Sequence, residues 1–151
     1  MKAWDWGGFF EYLVNPYLLQ GAFVTLGLTV AAIAGGLVVG CLLSLLRLSS
    51  HKWMVAIAKG YIWIFRGTPL LAQTFLVYYG SGQFSGFLKD IGLWWFFREA
   101  FYCAVLTFAL NTAAYQAEIL AGAIRSVPRG QWQAADALGL TRKVTMLKVI
   151  L

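Results

Sequence analysis

The chain has 151 residues, 60% of them hydrophobic and only 12% charged, with a formal net charge of +6. A soluble globular surface needs roughly 25% charged residues, so this composition excludes water as the main solvent and points to the bilayer. The positive charge does not indicate nucleic acid, because the basic residues flank apolar blocks and form no stripe interleaved with exposed aromatics.

In chain order, residues 1–19 open with "MKAWDWGGFFEYLVNP". Asp5 and Glu11 precede the long apolar run and no small-residue cleavage site is visible, so no secretory signal is legible. Trp4, Trp6, Phe9, Phe10 and Tyr12 suit an outer segment lying at the membrane surface, and a disordered arm is the other reading. From Tyr12 to Leu46 no residue is charged, and a first membrane span is expected at 20–46. Its Ala32, Gly36, Gly40 and Ser44 recur every four residues and put small side chains on one helix face, where another helix can approach closely. Cys41 and Cys103 sit inside apolar runs and read as packing residues, with no metal-ligand partner near either in sequence.

A second span is expected at 53–80 and a third at 96–124. They contain Lys59, Arg66 and Glu118. A charge at mid-membrane costs on the order of 3 kcal/mol unless it snorkels, pairs or faces a wet cavity. Lys59, Arg66 and Gln73 are spaced by seven, which keeps them on one slowly drifting face. Lys59 lies near the helix end and reads as snorkelling. Arg66 is deeper, where "RGTP" interrupts the ladder because Pro69 lacks an amide donor. In the third span Thr107, Asn111, Tyr115, Glu118 and Gly122 fall at helical spacing on one face. This polar stripe either lines a path for a polar solute or holds the bundle together by interhelical hydrogen bonds. Arg66, Gln73, Asn111, Tyr115 and Glu118 are the candidate path residues, and Glu118 has Arg66 and Arg125 as possible ion-pair partners. Seven basic residues (Arg47, Lys52, Arg125, Arg129, Arg142, Lys143, Lys148) lie on one side of the spans and three (Lys2, Lys89, Arg98) on the other. The positive-inside rule places the N-terminus outside and the C-terminal segment in the cytoplasm, with Trp94 to Phe97 as an outer aromatic belt.

The third span gives way at Arg125 to "SVPRGQWQAADALGL". Residues 127–140 read as a short cytoplasmic helix, with Pro128 in its first turn and Gly139 as its stop. It is too short to span and is kept slim by Ala134, Ala135 and Ala137, so it fits either a partner's groove or an interfacial connector. Residues 141–151 read as the start of a fourth helix capped by Thr141, and the chain is expected to be a truncated piece of a longer protein. His51 is the only histidine and lies in a loop without catalytic partners, so no catalytic residue and no metal site is assigned.

Gln133-Ala134-Ala135, then Gly139, Val149 and Leu151, resembles the EAA loop of ABC importer permeases, with Gln for the usual Glu and Val for the usual Ile. Together with "FRGTPLLAQ" and "NTAAYQAEILAGAI", it makes the chain similar to the permeases of polar amino-acid uptake, from about Leu18 onward. The resemblance implies an all-α integral membrane fold, an ABC importer permease-like helical bundle of about five spans in the bacterial inner membrane. It implies a pairing with a second permease subunit, two cytoplasmic ATPase subunits, and a solute-binding protein that delivers the amino acid outside. It further implies that Gly130, Gln133, Ala134, Ala135 and Gly139 belong to a coupling helix seated in an ATPase groove. ATP and magnesium would be held by that partner, since this chain has no G-x-x-x-x-G-K-[ST] loop. The two expected functions are a permease subunit working by alternating access and a transport-incompetent fragment with an assembly role.

Overall fold

The computed structural model of the chain describes residues 5–150. Lys2, Trp4 and Leu151, which enter the orientation count, the surface segment and the EAA pattern, lie outside the described residues. Among those described the chain is all-α: α1 Trp6–Leu13, α2 Pro16–Arg47, α3 Lys52–Gly67, α4 Leu70–Gln83, α5 Ser85–Asp90, α6 Trp94–Phe97, α7 Ala100–Ser126, α8 Arg129–Ala137 and α9 Arg142–Thr145, which runs into a π-helical turn, Met146–Ile150.

Within the expected surface segment or arm of residues 1–19, Trp6–Leu13 form α1, capped by the Asp5 carboxylate, which accepts from the Gly8 amide at 3.0 Å. No residue of α1 is buried. Helix α2 starts at Pro16 rather than Gln20, because Asn15 caps it by accepting from the Tyr17 amide at 2.9 Å and Pro16 needs no donor in the first turn. At about 1.5 Å per residue its 32 residues are longer than the hydrocarbon is thick. It is the one helix among the described residues that is long and apolar enough by itself to cross a membrane. The expected second span is two helices, α3 and α4, broken at Thr68–Pro69. The third begins at Ala100, later than 96, because Trp94–Phe97 forms its own turn before an extended Glu99.

Alanine and glycine set the packing. The core cluster is Leu43, Ala58, Ile62, Ala113, Ala114 and Ala117, edged by Tyr61 and Phe65. Ala32, Gly36, Gly40 and Ser44 are all buried. A Cβ on Gly36 would stand 3.1 Å from the Ala109 carbonyl and the Thr112 side chain, and one on Gly40 would stand 2.9 Å from Gln116 Cβ. Gly36 thus faces Ala109, Gly40 faces Ala113, and the Arg47 carbonyl accepts from Arg125 Nη2 at 3.1 Å, so α2 and α7 run parallel. After a four-residue turn, α3 and α4 return along α7 in the opposite sense.

Candidate functional site

The break between α3 and α4 creates the first polar cluster. In a continuous helix the Phe65 carbonyl would accept from residue 69, but Pro69 has no amide hydrogen. Side-chain amides replace it: Asn111 Nδ2 donates to the Phe65 carbonyl at 2.9 Å and Gln73 Nε2 donates to it at 3.0 Å. Asn111 also donates to Gln73 Oε1 at 3.1 Å, and Gln73 donates to Thr68 Oγ1 at 2.5 Å. Tyr61, stacked on Phe65 with ring centroids 4.4 Å apart, donates its hydroxyl to the Leu110 carbonyl at 2.8 Å. A freed carbonyl within a bilayer must find a donor in protein or water, and these residues supply one.

About two turns further along α7 lies the second cluster. The Glu118 carboxylate accepts from Arg47 Nη1 and stands 3.7 Å from Arg66 Nη1. Helical side chains lean toward their own N-terminus. Arg47, ending α2, therefore leans back along that helix, and Arg66, near the end of the antiparallel α3, leans the other way, so the two converge on Glu118 from opposite sides. The Arg66 guanidinium also lies over the Tyr115 ring, 5.1 Å from its centroid. Arg47, Lys59, Arg66, Tyr115 and Glu118 line a groove of about 460 Å³. It holds three cations and one anion, an excess that hydrocarbon would penalise and that water or a counter-ion would relieve.

The five expected path residues thus divide. Gln73 and Asn111 are engaged at the helix break, Asn111 buried. Arg66, Tyr115 and Glu118 face the groove, with side-chain exposures of 43% for Arg66 and 37% for Glu118. Thr107 of the same stripe is buried and donates to the Cys103 carbonyl. Of the two partners open to Glu118, the structure takes Arg66 and adds Arg47; Arg125 instead caps the α2 terminus. Sequence reasoning used Arg47 only for orientation and read Lys59 only as snorkelling. The available signal was a long cation closing an apolar helix, but its partner depends on the α2–α7 register.

The expected coupling residues lie on α8. Pro128 is its N-cap rather than part of its first turn. Gly139 has φ +67°, a left-handed conformation. The Leu140 amide donates to the Ala135 carbonyl at 3.1 Å and the Gly139 amide to the Asp136 carbonyl at 3.0 Å, the bond pair of a Schellman stop. Gly130, Gln133 and Ala134 are exposed, whereas Ala135 is 2% exposed and turned inward.

Residues 32–151 match the model of the family described as "Binding-protein-dependent transport system inner membrane component". The chain belongs to that family. Relatives include the nopaline transport system permease protein NocM of Agrobacterium fabrum, 45% identical over 89% of this chain and 56% of that protein. The octopine transport system permease protein OccM of Rhizobium meliloti is 47% identical over 89% of this chain and 54% of its own length. The arginine ABC transporter permease protein ArtM of Escherichia coli is 41% identical over 91% of this chain and 61% of that protein. A crystal structure of an amino acid ABC transporter with histidines superimposes with a TM-score of 0.77 and 35% identity, covering 99% of this chain and 64% of that one. The chain therefore spans little more than half the length of the permease relatives it matches.

Proposed function

We propose that the protein is the permease subunit of an ABC importer that carries a polar amino acid into the cytoplasm by alternating access. It crosses the inner membrane several times with its N-terminus outside. The observation that carries the reading is the half-open groove in which Glu118 is shared by Arg47 and Arg66. A zwitterion needs both an anionic and a cationic contact, and this groove offers both beside the Tyr115 ring. Gln73 and Asn111 brace the broken helix at the groove's outer end and keep its backbone from water.

A second permease subunit covers the exposed side of the groove, and a solute-binding protein feeds it from outside. ATP and magnesium stay on the cytoplasmic ATPase subunits. Those subunits receive α8, whose exposed Gly130, Gln133 and Ala134 form the contact face while Ala135 anchors the helix to its own chain. The stop at Gly139 keeps α8 short.

The test uses the assembled complex in proteoliposomes with a panel of amino acids. Glu118→Gln is expected to lower uptake at least tenfold while the complex stays assembled. A Cys at Ala134 is expected to crosslink to the ATPase, and a Cys at Ala135 is not. Unchanged uptake in Glu118→Gln removes its charge from the path, and an adduct at Ala135 alone reverses the docking face. An assembled wild-type complex that takes up no amino acid would instead support a purely structural role.

A further inference from the structure

The end of the molecule that carries α8 contains a second groove, of about 520 Å³, separate from the one that holds Glu118. Its charged lining is Arg125, Arg129, Arg142 and a single acid, Asp136, with Trp132 and Thr145 also facing it. Arg129, Trp132 and Asp136 fall at helical spacing on one face of α8, Arg125 closes the end of α7, and Arg142 opens α9. Ile124 and Met146 supply apolar flanks.

The charges are poorly matched from within. Arg125 is tied by one nitrogen to the Arg47 carbonyl, while Arg129 and Arg142 make no ion pair or side-chain hydrogen bond among the described residues. In the Glu118 groove the acid is engaged by two arginines; here Asp136 pairs with none of the three. A concave site with three guanidinium groups, at the junction of an apolar helix and a polar segment, carries two positive charges more than its one acid balances. Arginine's planar fork suits phosphate oxygens, and an indole suits the headgroup level of a bilayer. A flat acidic protein surface would not enter a concavity, nor would it use the apolar flanks.

We propose that this groove binds the phosphate of an acidic glycerophospholipid headgroup, held by Arg125, Arg129 and Arg142, with the glycerol end against Ile124 and Met146. Basic pockets between helices at the cytoplasmic surface bind anionic headgroups on this principle. Only the choice of leaflet rests on the orientation given under the proposed function; the site itself does not. Bound there, the lipid would tie α8 and α9 to the end of α7 and hold α8 at a set height from the membrane.

The test is native mass spectrometry of the chain released from phosphatidylcholine nanodiscs that contain phosphatidylglycerol. The chain is expected to retain phosphatidylglycerol selectively. Arg129→Gln combined with Arg142→Gln is expected to weaken retention about thirtyfold, at roughly fivefold per cation near a membrane surface. Lys143→Gln, which alters a neighbouring charge outside the groove, is expected to leave it unchanged. Arg142→Lys keeps the charge and is expected to retain most of the lipid, which guards against reading a folding defect as lost binding. Full retention by the double variant overturns the proposal, as does equal loss in Lys143→Gln, which would mean diffuse surface charge. Saturation by inorganic phosphate or by an acidic soluble protein, with no lipid retained, also overturns it. None of these measurements involves transport, so they stand or fall apart from the importer assignment.

Discussion

Replacing Gly40 with alanine tests the parallel contact of α2 and α7 on which the charged groove depends. The added methyl carbon would stand 2.9 Å from Gln116 Cβ and 3.2 Å from the Ala113 carbonyl. Carbon pairs rest at about 3.5–4.0 Å, so the helices must part by roughly 0.6 Å or more. Gly27 lies in the same helix, and a Cβ added there would meet nothing within 4 Å, so it serves as the reference site. Both changes bring the same helix-propensity gain of about 1 kcal/mol. The difference between them isolates packing and is expected at about 1–3 kcal/mol, with Gly40→Ala the less stable. Reversible unfolding in bicelles measures it. Gly40 and Arg47 are two turns apart on one helix face, so the same displacement should loosen the Arg47–Glu118 contact. Equal stability of the two variants, within about 0.5 kcal/mol, would refute the close approach of α2 and α7.

Asn111→Leu keeps the branching of the side chain but removes the donor to the Phe65 carbonyl, and the same unfolding assay should show a loss of about 1–3 kcal/mol. A neutral result would mean that water satisfies the break. Gly139→Ala forces a side chain into a left-handed conformation and should cost about 1–2 kcal/mol locally. Hydrogen exchange of the Leu140 amide, which donates to Ala135, should speed up in Gly139→Ala and less so in Gly139→Asn, since asparagine tolerates that conformation.

Much of this architecture was legible because each signal was local. The uncharged stretch before Arg47 marks a long apolar helix, the four-residue spacing of Ala32, Gly36, Gly40 and Ser44 marks its close-packing face, and Pro69 marks a break. Gly139 marks a helix stop, since few other residues accept its backbone geometry. These features follow from propensity, periodicity and missing donors, which a chain carries in any environment. The short helices α5 and α6 carried no comparable periodicity, being six and four residues long.

Composition and spacing alone make the chain helical, apolar and interrupted, with polar groups where lipid would penalise them. The packing of the helices assigns those groups their partners. It gave Asn111 and Gln73 to the carbonyl that Pro69 leaves bare, brought Arg47 rather than Arg125 to Glu118, and turned Ala135 inward while leaving Ala134 exposed. Helical periodicity states which residues share a face but not which neighbour that face meets. That meeting depends on the register between helices, which small residues at Gly36 and Gly40 set by contact alone.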